Sequence, residues 1–161
     1  MALWIDSNNI IHDDMDGAAL DLPSWPKGIT PYTPPAPTAA QLLDAAKVSQ
    51  TKIIDDAYYQ AIYADIAFTT AAGVSQTFQA DDISQNVILV SSSGYTRRGS
   101  VPAGFFWKAS DNTQVLFTLA DLNGLYDAML DRGNAAFINK TNKKASIANA
   151  TTITAVQKIV W

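Results

Sequence analysis

The chain has no cysteine, and His12 is the one histidine among its 161 residues. Without cysteine there is no disulfide and no thiolate for catalysis or metal binding, a composition that fits synthesis in a reducing cytosol. A lone histidine leaves a transition-metal site short of ligands. The densest polar cluster, His12-Asp13-Asp14 with Asp16-Gly17, also fails as a calcium loop. In the register that fits Asp14, Asp16 and Gly17, the bidentate acid position falls on Pro23. Basic residues are in deficit, 11 Lys and Arg against 15 acids, for a formal net charge of -4. That balance argues against a nucleic-acid partner held by bulk electrostatics, and Arg97-Arg98 read as a solvated loop or a protein contact. No apolar run is long enough to span a bilayer, and no charged start leads into the apolar stretch of a secretory signal.

Catalytic patterns are missing too. There is no Gly-x-Ser-x-Gly elbow, and no histidine base is placed to make a triad. Ser91-Ser92-Ser93-Gly94 lacks the lysine and glycine spacing of a phosphate loop. The acidic pairs Asp55-Asp56 and Asp81-Asp82 could serve glycoside hydrolysis in principle. Adjacent acids on one helix point in different directions, however, and solvation or capping accounts for them. The expectation is a non-enzymatic chain with no catalytic, cofactor-binding or metal residues.

What is present centres on Phe105 to Phe137. Alternation on both sides of Asp111-Asn112 predicts a hairpin with a two-residue loop, which sets Trp107 against Leu116 and Phe106 against Phe117. Both faces of that ribbon are partly apolar, so it must be sandwiched. Thr118 is placed to cap a following helix, with Asp121 as its capping-box partner. Leu119, Leu122, Leu125, Tyr126, Met129 and Leu130 then recur at helical spacing. Gly124 and Gly133 interrupt the pattern; either can be a close-packing site, and Gly133 can instead end the helix.

The flanking segments assemble around this unit. Ala2 to Asp14 reads as a small hairpin turning at Ser7-Asn8-Asn9, with Trp25 as an anchor across it. Thr30 to Pro37 holds four prolines in eight residues and reads as an extended linker. The apolar face Leu42, Leu43, Ala46, Ile53, Ile54, Ala57, Tyr58, Ala61 and Ile62 predicts a long helix with Gln50 breaking its seam. That helix is either a short coiled coil or one side of a single-domain core. Ile66 to Ala80 is a second hairpin. A three-residue loop, Ala71-Ala72-Gly73, gathers Ile66, Phe68, Val74 and Phe78 on one face. A helix capped by Asp81 or Asp82 carries Ile83, Val87, Ile88 and Val90, and is expected to stop at Ser91 to Gly94, before a polar loop from Tyr95 to Val101. A last short helix starts at Thr151 or Thr152 and brings Val156, Ile159, Val160 and Trp161 to the terminus.

The predicted class is therefore α+β. Its parts are an N-terminal β module (1–29), a proline-rich linker (30–37), a long helix (38–64), and a C-terminal region (65–161) of two hairpins packed with helices. The aromatics Trp4, Trp25, Tyr32, Tyr59, Tyr63, Tyr95 and Trp161 are the exposed candidates for partner binding, with Trp4, Trp25, Tyr32, Tyr95 and Trp161 foremost.

Several runs carry a family resemblance. Tyr63-Ala64-Asp65-Ile66-Ala67-Phe68-Thr69-Thr70-Ala71-Ala72-Gly73-Val74 with Thr77-Phe78-Gln79-Ala80-Asp81 is one. Val101-Pro102-Ala103-Gly104-Phe105-Phe106-Trp107 with Phe117-Thr118-Leu119-Ala120-Asp121-Leu122 is another, and Ala150-Thr151-Thr152 with Ala155-Val156-Gln157 is the third. In this order they resemble a domain of unassigned function found in proteins of tailed bacteriophages and prophages. Asn134 departs from the pattern, where an aromatic is expected. The resemblance implies a tail-fibre-associated protein, either an assembly chaperone or a small virion tail subunit. It implies a tail-fibre or baseplate protein as partner, a homo-oligomer with a trimer among the expected states, and a place in the host cytoplasm during assembly or in the virion tail. The alternative reading is a receptor- or glycan-binding tail tip.

Overall fold

A computed structural model of the chain describes residues 2–14, 28 and 30–161. It divides into two compact units, residues 1–39 and 40–161.

In the N-terminal unit, strands β1 (Ala2–Ile5), β2 (Ile11–Asp14) and β3 (Thr30–Pro31) form an antiparallel sheet in the order β2-β1-β3. The β1–β2 hairpin is the one expected, with Trp4 opposite His12 and Ile5 opposite Ile11. Asn9 takes the left-handed conformation at φ 62° that the turn demands. Thr30 and Pro31 depart from the linker reading. They form a two-residue edge strand beside Ile5 and Trp4, where a proline's missing N–H costs nothing. The anchor expected of Trp25 lies outside the described residues.

The C-terminal unit opens with helix α1 (Ala39–Tyr63), whose bounds lie within a residue of those predicted. Strands β4 (Ile66–Thr69) and β5 (Ser75–Phe78) follow in the predicted register. Ile66 faces Phe78, and Gly73 is left-handed at φ 82° in the three-residue loop. Helix α2 (Asp82–Arg98) is capped by Asp81, which accepts the Ser84 N–H at 2.7 Å. It runs straight through Ser91-Ser92-Ser93-Gly94, where a stop was expected. Serine is neutral enough to stay helical when tertiary contact holds it. Ser92 is buried and donates its hydroxyl to Asn123 Oδ1 at 2.7 Å. The true stop is left-handed Gly99, whose N–H reaches back to Tyr95 and Thr96 carbonyls.

Strands β6 (Phe106–Lys108) and β7 (Gln114–Leu116) correct the predicted central hairpin by one residue. Phe106 pairs with Leu116 and Trp107 with Val115. The loop has three residues, Ser110-Asp111-Asn112, with Asn112 left-handed at φ 67° and Asp111 Oδ1 accepting the Thr113 N–H. This register turns Phe105, Trp107, Ala109, Val115 and Phe117 to the core together, and it leaves Phe106 and Leu116 as an exposed cross-strand pair. The burial argument that selects the β4–β5 register selects this one as well. The two hairpins share one loop geometry and are tied by the Ser110 N–H donating to the Thr77 carbonyl at 2.8 Å.

Helix α3 (Leu119–Asn149) is a single rod of 31 residues that passes Gly124, Gly133 and the polar stretch after Phe137 without a break. Helix α4 (Ile153–Gln157), capped by Thr152, closes the chain. Two apolar clusters result. The larger joins both hairpins, α2 and the first half of α3 around Phe78, Ile88, Phe117, Leu122 and Leu125. The smaller joins α1, the end of α3 and α4 through Ile54, Ile147 and Val156. Helix α1 is thus packed within its own chain, the single-domain alternative. Gln50 is buried in its seam because its amide donates to the Ile159 carbonyl at 2.7 Å, which ties down the C-terminus.

The two interior glycines of α3 differ. A Cβ at Gly124 would lie 3.2 Å from Phe68 Cζ, whereas one at Gly133 meets nothing within 4 Å. Gly133→Ala is expected to stabilise the chain by up to ~1 kcal/mol through helix propensity. Gly124→Ala is expected to lose that gain to crowding, by about 1–3 kcal/mol where the ring cannot move. Urea unfolding of both variants beside the wild type checks the difference, and equal gains at both sites would remove the close-packing role of Gly124.

Candidate partner-binding surfaces

In the N-terminal unit the sheet places Trp4 between His12 and Pro31. The Trp4 indole Nε1 is buried and has no acceptor among the described residues. Tyr32 is half-buried, and its N–H donates to the Leu3 carbonyl at 2.8 Å. The His12 imidazole meets Asp6 Oδ2 at 3.1 Å, while Asp6 Oδ1 accepts the Asn8 and Ile10 N–H groups at 2.8 and 2.9 Å. The Ile10 N–H, with His12 and Asn8, outweighs desolvation and holds the Asp6 carboxyl below the usual range. Asp6 organises the turn, and His12 serves it.

In the C-terminal unit Tyr95 is half-buried and packs edge-to-face on Phe105 with centroids 5.2 Å apart. Trp161 stands exposed at the terminus. Of the sequence candidates in this unit, Tyr63 borders a concavity that Tyr95 and Trp161 do not line. That concavity is a groove of about 450 Å³ between the C-terminal end of α1, the first half of α2 and the middle of α3. Tyr58, Tyr63, Leu89, Tyr126 and Leu130 supply its apolar lining; Asp82, Asn86 and Asn134 supply polar groups. Tyr59 and Tyr63 stack beside it at 6.3 Å and 17°, and Lys140 Nζ sits 3.8 Å over the Tyr58 ring. The sequence marks Tyr59 and Tyr63 as exposed aromatics, but the other apolar lining residues carry no signal beyond helix-face spacing, because core and groove share the same period.

The groove is held open by polar ties. Arg132 donates to the Ile62 carbonyl at 2.8 Å and to the Ala64 carbonyl, closing off the end of α1 where the helix dipole favours a cation. Burial draws the Arg132 pKa down against the pull of Asp65. Gln85 Nε2 donates to the Ile62 and Ala80 carbonyls, both at 2.8 Å. The acidic pairs are occupied by structure: Asp55 accepts from Lys144 at 2.9 Å, Asp56 from Lys52 at 2.6 Å, and Asp81 caps α2. Among the described residues no three His, Cys, Asp or Glu side chains converge on a common point, and no helix is long and apolar enough to cross a membrane.

These features define an α+β protein whose larger unit presents apolar and aromatic surface on a helical frame. Residues 45–160 match the family described as a domain of unknown function, DUF4376, which nearly coincides with the compact unit of residues 40–161. The chain belongs to that family. No curated protein and no solved structure matches it.

Proposed function

We propose that this chain is a non-enzymatic, phage tail-fibre-associated protein that works through protein–protein contacts, as a fibre assembly chaperone or as a small subunit of the virion tail. The observation that carries the contact role is the amount of apolar surface left uncovered in the C-terminal unit. The tyrosine-lined groove, Phe106 opposite Leu116, and Phe137 with Ile138 all stand in solvent. Apolar side chains gathered in a groove or paired across a ribbon, and not scattered singly, mark candidate interaction sites. The assignment to tail fibres rests on the ordered sequence resemblance. A chaperone of this build would cover apolar or unpaired edges of a fibre tip until its chains assemble. Self-association belongs to the same reading, with the host cytoplasm as the place of assembly.

Quantitative mass spectrometry of purified particles and of the lysate that yields them tests the proposal. Abundance in the lysate with absence from particles is expected of a chaperone. A fixed ratio to fibre or baseplate chains in the particle is expected of a subunit. Failure to co-purify with any fibre or baseplate chain in either fraction overturns the assignment. A glycan-binding tail tip is the second reading, favoured by the exposed Tyr59–Tyr63 stack beside the Asp82, Asn86 and Asn134 side chains. Specific retention on a glycan array would select it.

A further inference from the structure

Helix α2 has two apolar faces. Ile88 and Ser92 turn to the core with Tyr95 beside them. On the other side Ile83, Val87 and Val90 recur at spacings of four and three, and are 72%, 49% and 69% exposed. Gly94 continues that stripe by four more residues. An a/d stripe this narrow is the seam of a helix pair and not the broad face of a core helix. Glycine is the poorest residue after proline in a helix interior. A Cβ at Gly94 would meet nothing within 4 Å, so nothing within the chain requires it. The surface beside it is a depression lined by Val90, Ser91, Gly94, Tyr95 and Arg98.

The charges along α2 are segregated. Asp81 and Asp82 stand at its N-terminal end, Arg97 and Arg98 at its C-terminal end, and no charged residue lies between. Two α2 helices side by side in the same direction would set like charges together at both ends. In opposite directions they set acid against base at both ends and also oppose their dipoles favourably.

We infer that a second copy of this chain covers the outer face of α2, the two helices packing antiparallel about a two-fold axis. A register centred between Val87 and Val90 places Val87 against Val90 of the second copy and Ile83 against its Gly94. The isoleucine then fills the depression that the glycine leaves. Asp81 and Asp82 fall within about one helical turn of Arg97 of the second copy. Such an interface is self-complementary, as a closed two-fold pair requires. This gives a geometry to the self-association in the proposed function and does not depend on the tail-fibre assignment.

Sedimentation equilibrium of the full chain tests it. The wild type is expected at the mass of two copies, and Gly94→Leu, which fills the depression, at one copy, with the dissociation constant raised about a hundredfold or more. Circular dichroism is expected to keep its helical signal, because a Cβ at position 94 meets nothing within 4 Å and leucine favours a helix interior over glycine. Arg97→Glu with Arg98→Glu is expected to weaken the pair about tenfold, with recovery on adding Asp82→Lys. The cysteine-free background supplies a second measurement. A mixture of Val87→Cys and Val90→Cys copies should cross-link faster on oxidation than either variant alone. A wild type that stays monomeric at its solubility limit, an oligomer indifferent to Gly94→Leu, or faster cross-linking of Val87→Cys with itself each overturns the inference. A purified fibre complex with no α2 pairing would sink this inference and leave the tail-fibre reading standing.

Discussion

Phe78→Ala is expected to lower the unfolding free energy by about 3–5 kcal/mol, the usual range for removing a buried aromatic ring. Phe78 is fully buried where β5 meets the rest of the larger cluster. Its ring packs edge-on against Phe117 at 5.3 Å and Phe68 at 6.4 Å. Those three rings join the β4–β5 hairpin to the segment that enters α3, so the cavity would open between two elements and not inside one. Domains hold about 5–15 kcal/mol in total, which makes this loss a large share of the stability. Urea unfolding followed by tryptophan fluorescence checks it. Phe78→Leu should recover more than half of the loss, because most of the volume returns; equal losses for the two variants would place the effect in the strand and not in the cavity.

The second large effect is expected at Asp121, a buried carboxylate that ties the start of α3 to the β4–β5 loop. Its Oδ2 accepts the Thr118 N–H at 2.8 Å and the Thr118 hydroxyl at 2.6 Å, completing the capping box of α3. Its Oδ1 accepts the Ala71 N–H at 2.7 Å, from the tip of the other hairpin. Asp121→Ala removes the reciprocal half of the capping box and the charged acceptor of that tip together, for about 2–4 kcal/mol. Asp121→Asn keeps the shape but turns one acceptor into a donor facing N–H groups, so it is expected to recover only part of this.

The pH dependence follows from the direction of the shift. Burial raises the Asp121 pKa, but the Thr118 hydroxyl and the Ala71 and Thr118 N–H groups outweigh it and hold the carboxyl below its ordinary value. The unfolded chain therefore binds this proton more readily than the folded one. The contribution is complete above the ordinary aspartate pKa of about 4 and is lost as pH falls through that value toward the folded one. The gap in stability between wild type and Asp121→Asn should be constant near neutrality and narrow below it. A gap that stays constant under acid would show that the charge of Asp121 contributes nothing.

Much of this protein is decided locally, by the sequence itself. Alternation and turn residues suffice for the β1–β2 and β4–β5 hairpins, because a left-handed site needs Gly73 or an asparagine wherever it occurs. Helical spacing and side-chain caps suffice for α1 and for the starts of α2, α3 and α4, because a cap bonds to backbone only a few residues away. Other features rest on contacts distant in sequence. Gln50 looks like a flaw in a seam until Ile159 arrives beside it, and the serine run of α2 stays helical because Asn123 meets Ser92. The central hairpin takes its register from the core that Trp107 and Val115 enter together, which the turn residues alone leave undetermined. The groove of Tyr58, Tyr126 and Leu130 exists only once three helices converge. Periodicity says which side of a helix is apolar; only packing decides whether that side is covered, and so whether an apolar residue is core or contact surface.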